Sequence, residues 1–202
     1  MDGPTDNRRG WWLREIARWN RWAMDERRWR MIFTTEAYNQ MVERSKAIAV
    51  KFKQQVLEQR ENLDPMNEND IDDYGVSEEN IQSLFDMLKA EMHVESELGF
   101  FRDNDEEYGR YCEHNDFVSL PLCINYYPEG EIVEHMTHEL YHAFQYCAIC
   151  TPENYPCFNE VVIKTWGYEF KNYISGDKNM RQYLGQEIEK SARAFGEMMG
   201  KA

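Results

Sequence analysis

The stretch His138-Glu139-Leu140-Tyr141-His142 constrains this chain more than any other. Histidines four residues apart stack one turn apart on a helix, so the pattern asks for a helix with an imidazole-bearing side. On a wheel of about 100° per residue, Ile132, Val133, Met136, Leu140, Ala143 and Phe144 share one side. His135, His138 and His142 fall roughly opposite, with Glu139 and Tyr146 at the border. Three of the five histidines lie within these eight residues, which separates the segment from a solvated helix carrying incidental histidines. A helix that buries one face and lines the other with imidazoles suits the wall of a cleft. Two imidazoles at this spacing can share a Zn2+ ion, and a Glu between them can act as general base on a water that the ion activates.

At 202 residues the chain is long enough for one domain with a real core, and an appendage besides. Its longest apolar runs fall far short of the ~18 residues of a membrane span, and no secretory leader opens it. The expectation is a soluble protein without an export signal of its own, cytoplasmic by default. Delivery as part of a larger secreted protein stays open. Net charge is −14, unevenly spread. Residues 1–30 carry eight Arg against five Asp and Glu, a balance of +3, which leaves −17 for the rest. An acidic body argues against general nucleic-acid binding, which draws on clustered Lys and Arg. Five cysteines, without a leader, do not read as a disulfide framework.

In chain order, residues 1–33 are expected to form a Trp/Arg-rich helical arm. Trp12, Ile16, Trp19 and Ala23 recur at helical spacing, with Trp11, Trp22 and Trp29 nearby. The arm either packs on the acidic body or docks a protein partner, with a basic amphipathic membrane helix as a weaker variant. A second helix is expected over 35–62, apolar at Met41, Val42, Ala47, Ile48, Val50, Phe52, Val56 and Leu57. A third over 78–92 starts at the N-cap Ser77 and buries Ile81, Leu84, Phe85, Leu88 and Met92. Segments 97–102, 108–112 and 117–127 read as short strands, and Pro121 marks the last of them as an edge strand to which a peptide could add. Pro128-Glu129-Gly130 turns the chain into the motif helix, and two more helices follow at about 158–174 and 178–199. The fold class is α+β: N-terminal helices, a small sheet with an edge strand and a C-terminal helical module. Residues 34–202 make its single domain.

A catalytic zinc takes three protein ligands and keeps a position open for water. Two carboxylates compete for the third place. Glu160 follows His142 by 18 residues, room for a loop through Thr151-Pro152 and Tyr155-Pro156 and for a helix to return. That helix is apolar along Val162, Ile163, Trp166, Phe170, Tyr173 and Ile174, with Glu160 at its margin and Gly167 two turns on. A carboxylate at the edge of a buried face needs a partner, which a metal would supply. Glu189 lies off the apolar side formed by Leu184, Ile188, Ala192, Phe195 and Met199, and Arg193 stands four residues on, as in an exposed ion pair. The pattern favours Glu160 as ligand and keeps Glu189 as the alternative; Glu187 ranks below both.

The stretch Thr137-His138-Glu139-Leu140-Tyr141-His142-Ala143-Phe144-Gln145, followed by Asn159-Glu160, resembles the zincin metallopeptidases and, among them, the gluzincins. The resemblance spans about residues 117–175. It implies a zinc-dependent peptidase with His138, His142 and Glu160 as ligands and Glu139 as general base, acting on a peptide or protein substrate. Lys164 stands where such proteins often carry a small acidic residue one turn after the ligand Glu, which leaves the third ligand open. Glu189, Ala192 and Phe195 fit an E-x-x-A-x-x-F pattern of other single-domain zincins, which keeps Glu189 in play. An oxyanion would need a donor from Tyr126, Tyr127, His135 or Tyr146. Cys147-x-x-Cys150 and Cys157 are read as small buried residues rather than half of a second metal site. Two other readings remain: a non-catalytic zinc-binding or regulatory protein with the same fold, and a metallopeptidase toxin released from a larger delivery protein.

Overall fold

The computed structural model describes residues 32–61, 63, 74–101 and 109–202; the Trp/Arg-rich arm, residues 1–31, lies outside them. The described elements are helices α1 (Thr35–Arg60) and α2 (Glu78–Met92) and strands β1 (Glu97–Phe101), β2 (Arg110–Cys112) and β3 (Phe117–Pro121). A 3-10 turn, Leu122–Tyr126, leads into α3 (Glu129–Cys150). Helices α4 (Glu160–Lys171), α5 (Gly176–Gly185) and α6 (Glu187–Lys201) follow. This is an α+β fold, mostly helical, with one small mixed sheet. Among the described residues no helix is long and apolar enough to cross a membrane.

Local chemistry accounts for most boundaries. Thr34, Ser77 and Asn159 each accept a backbone N–H in the first turn of α1, α2 and α4, and so fix where those helices start. The buried face of α2 is the expected one, Ile81, Leu84, Phe85, Leu88 and Met92. Along α1 the burial is narrower than expected: Met41, Val42, Ala49, Phe52 and Val56 are buried, while Val50 and Leu57 face out. Arg60, itself buried, ends α1 by donating to the carbonyls of Tyr74, Asn125 and Tyr127, which ties the helix to the entry of α3. Phe33 belongs to the body rather than to the arm, stacked on Tyr155 and edge-on to Phe144.

The sheet order is β1-β3-β2, with β1 parallel and β2 antiparallel to β3. The proline-containing strand is therefore central, not the edge strand expected of it. β2 pairs only with Phe117–Ser119, so Pro121, with no N–H to give, falls outside that ladder and closes the strand. The chain then coils into the 3-10 turn instead of extending to residue 127. The helix expected over 178–199 is two helices that break at Gln186. The Gln186 side chain bonds both the N–H and the carbonyl of Ile174 and so clasps the segment that precedes α5.

α3 is the central element, packed by α1, α2, α4, α6 and the sheet, and its most extensive contact is with α6. Burial runs most of the way around it and takes in Thr137, Glu139, His142 and Gln145 as well as the apolar side. It is less a cleft wall than a core helix whose polar residues are enclosed by neighbours. Small residues permit the close approach. A Cβ on Gly196 would stand 2.8 Å from the Glu134 carbonyl oxygen, and one on Gly200 2.8 Å from that of Gly130. α6 has no side-chain cap of its own; Glu169 of α4 accepts the N–H groups of Glu187 and Ile188 and caps it from outside.

Candidate metal centre

One turn of α3 and the first turn of α6 bring His138, His142 and Glu189 together. The two Nε2 atoms stand 3.1 Å apart. Nε2 of His138 lies 3.5 Å from Glu189 Oε2, and Nε2 of His142 lies 3.5 Å from Glu189 Oε1. Tyr173 donates its hydroxyl to Glu189 Oε1 at 2.8 Å. Glu189 is 1% exposed, and its Oε2 is buried without a hydrogen-bond partner. A buried carboxylate oxygen left without a hydrogen bond is costly unless a cation meets it, and with two imidazole nitrogens beside it the donor set fits a metal ion. These three side chains form a group able to hold one.

Glu139 sits beside the group but outside it, with Oε1 3.9 Å from His138 Nε2. Its stem runs against Gly109, where a Cβ would come within 3.0 Å of the Glu139 Cγ. Burial raises its pKa to about 7, against the pull of the neighbouring His138. Burial and the adjacent His138 push His142 down to about 4, which keeps its ring neutral. His138 is raised: burial opposes its charge, but Glu189 and Glu139 outweigh that. Burial would raise Glu189 too, yet His138, His142 and Tyr173 together hold it at about 2. The site thus keeps one carboxylate charged and one poised near neutrality.

Glu160, the favoured third ligand from the sequence, is not part of the site. It is fully exposed at the first turn of α4, paired with Lys164 at 2.6 Å. α4 reaches the histidines with its other end: Trp166 packs on Tyr141, and Phe170 on His142 and Tyr146. Glu160 lies ten residues before Phe170, about 15 Å along a helix. Glu189, read from its wheel as solvated, is the carboxylate that the fold delivers. The buried face of α6 is Ile188, Glu189, Ala192, Phe195, Gly196 and Met199, wider than the apolar residues alone suggest. Arg193 turns instead to the Leu184 carbonyl, 2.9 Å away. The signal in the sequence is the pair Gly196 and Gly200, which continue the Glu189 side of the helix.

The expected oxyanion donors are dispersed. Tyr126 is exposed, Tyr127 packs against His135, and Tyr146 lies between Tyr111 and Phe170. The Tyr173 hydroxyl reaches the group, and Tyr183, edge-on to that ring, also interacts with Glu189 through its side chain. Nothing in the sequence marks either tyrosine for this position, because the break before α6 that places them depends on the Gln186 clasp. Gln145, equally unanticipated, bonds His142 Nδ1 at 2.9 Å. None of the five cysteines forms a disulfide: Cys147 is buried, Cys150 and Cys157 are half-buried, and burial raises the Cys157 thiol to about 11. A second cluster of donors, Cys112, Glu113 and His114, occupies the β2–β3 turn, where the exposed His114 pairs with Glu113 at 3.0 Å.

Comparison with family models, with curated proteins and with solved structures found no match to this chain.

Proposed function

We propose that the protein is a zinc-dependent peptidase, with His138, His142 and Glu189 as ligands and Glu139 as general base. The observation that carries the reading is the spacing of the donor atoms. Ligand atoms of a tetrahedral ion with bonds of about 2.0–2.1 Å stand roughly 3.3–3.4 Å apart. The separations here are 3.1, 3.5 and 3.5 Å. Two imidazoles and one carboxylate are also a ligand set of catalytic rather than structural zinc, since three protein ligands leave a position free.

When bound, zinc would acidify a water and polarise the substrate carbonyl. The residues of the chain supply the rest. Glu139 is near the ligands without being one, so it can take a proton from the water and return it to the leaving amine. Tyr173 spends its one hydroxyl proton on Glu189 Oε1 and so orients that carboxylate toward the ion. A purely structural site has no use for a buried carboxylate in the Glu139 position.

The test is metal content by mass spectrometry on protein purified without chelator, paired with peptide hydrolysis. Wild type should carry one zinc per chain and His142→Ala none. Glu139→Gln should keep its zinc and lose turnover by roughly 10²–10⁴-fold, the usual contribution of a general base. A metal-free wild type, or a Glu139→Gln variant that turns over normally, would sink the proposal.

A further inference from the structure

Gln145 is fully buried and uses both ends of its amide. Its Nε2 lies 3.0 Å from the Ile188 carbonyl oxygen and 2.8 Å from Ser191 Oγ. A carbonyl only accepts. The Ser191 hydroxyl already donates to the Glu187 carbonyl at 2.6 Å, so its oxygen is left to accept as well. The amide nitrogen must therefore face α6, and Oε1 must face His142. Oε1 is an acceptor 2.9 Å from His142 Nδ1, so Nδ1 carries the proton. In a neutral imidazole that leaves the lone pair on Nε2, the atom turned toward His138 and Glu189.

We infer that Gln145 is a positioning residue of the metal site. It selects the tautomer of His142 that can ligate through Nε2, and it ties that histidine to the first turn of the helix bearing Glu189. The anchor is the carbonyl of Ile188, the residue just before Glu189 in the chain. One side chain thus sets both the direction of a ligand on α3 and its separation from a ligand on α6. This role deepens the metal reading above and rests on it.

Two measurements test it. In metal-free wild type, long-range 1H–15N NMR of the histidine rings should show His142 protonated on Nδ1. By competition against a chromophoric chelator, Gln145→Leu should bind zinc about 10–100-fold more weakly than wild type, the usual cost of losing a partner that orients a ligand. Gln145→Glu keeps an acceptor for Nδ1 but sets a carboxylate oxygen against the Ile188 carbonyl in place of the donor, so it should recover only part of that loss. A merely structural glutamine would show no such rescue and no tautomer preference. An Nε2–H tautomer in wild type, or a folded Gln145→Leu with unweakened zinc binding, overturns the role of Gln145 while the metal site stands. A wild type that binds no zinc overturns the metal reading, and the positioning role with it. If Gln145→Leu does not fold, the tautomer in wild type decides.

Discussion

His93 closes α2 in the left-handed region, at φ 55° and ψ 40°, where glycine or asparagine is the usual occupant. Its N–H reaches back to the Ala90 and Lys89 carbonyls, and its ring stands edge-on to Phe33. Burial lowers its pKa below 6.5; Glu91 pulls upward, and Arg44, which pairs with Glu91, pushes down again. The fold therefore prefers the neutral ring. Its contribution to stability is complete above pH 6.5 and is lost as the pH falls through the lowered pKa, because the unfolded chain takes up the proton first. His93→Asn tolerates the same backbone and removes the titration. Urea midpoints at pH 7.5 and 5.5 should lie closer together in this variant than in wild type, with a change at pH 7.5 of less than about 1 kcal/mol. An equal or wider gap would show that other groups govern the acid limb. His138 and His142 were legible from the sequence because their relation is local, four residues on one helix. The strain at His93 was not, since nothing in the sequence sets a histidine there apart from one in mid-helix.

At the scale of the element, the helices announced themselves through their apolar periodicity, and the third ligand depended on something no single helix contains. Glu189 meets His142 across 47 residues only because α6 lies close on α3, and the contact is made by glycines. The Glu189 side of α6 is polar or small at Arg193, Gly196 and Gly200, so a wheel ranked by hydrophobicity places it in solvent. Ranked by size, the same wheel shows a close-packing seam. Gly196→Ala tests this directly. The added methyl meets backbone, the Glu134 carbonyl at 2.8 Å, and lies 3.4 Å from the His138 Cβ, so the helix must shift rather than a side chain. The expected cost is about 1–3 kcal/mol in thermal or urea unfolding, together with weaker zinc binding. Gly185→Ala, which meets nothing within 4 Å, is the control and should be neutral or slightly stabilising. Equal effects from the two substitutions would remove the seam from the account of how Glu189 is positioned.

Across the whole molecule, the site joins α3 and α6, the pair of helices in most extensive contact, to the segments around them. α3 supplies two donors and α6 the third; Glu169 of α4 caps α6, and Tyr173 binds Glu189 from the segment between α4 and α5. An ion bound there would stabilise the folded state alone, because the unfolded chain does not assemble the three donors. At free zinc a hundredfold above the dissociation constant, linkage gives about 2.7 kcal/mol. For a chain of this size that corresponds to a rise in Tm of roughly 5–10 °C. The rise should disappear in Glu189→Gln, which keeps the shape and removes the charge. It should persist undiminished in Glu160→Gln, because Glu160 is exposed and engaged only with Lys164 among its described contacts. The pair of variants separates the ligand set the fold brings together from the one the motif alone favoured. If Glu160→Gln loses the zinc-dependent rise and Glu189→Gln retains it, the triad is not the binding site, and the spacing of its donor atoms is a by-product of packing α6 on α3.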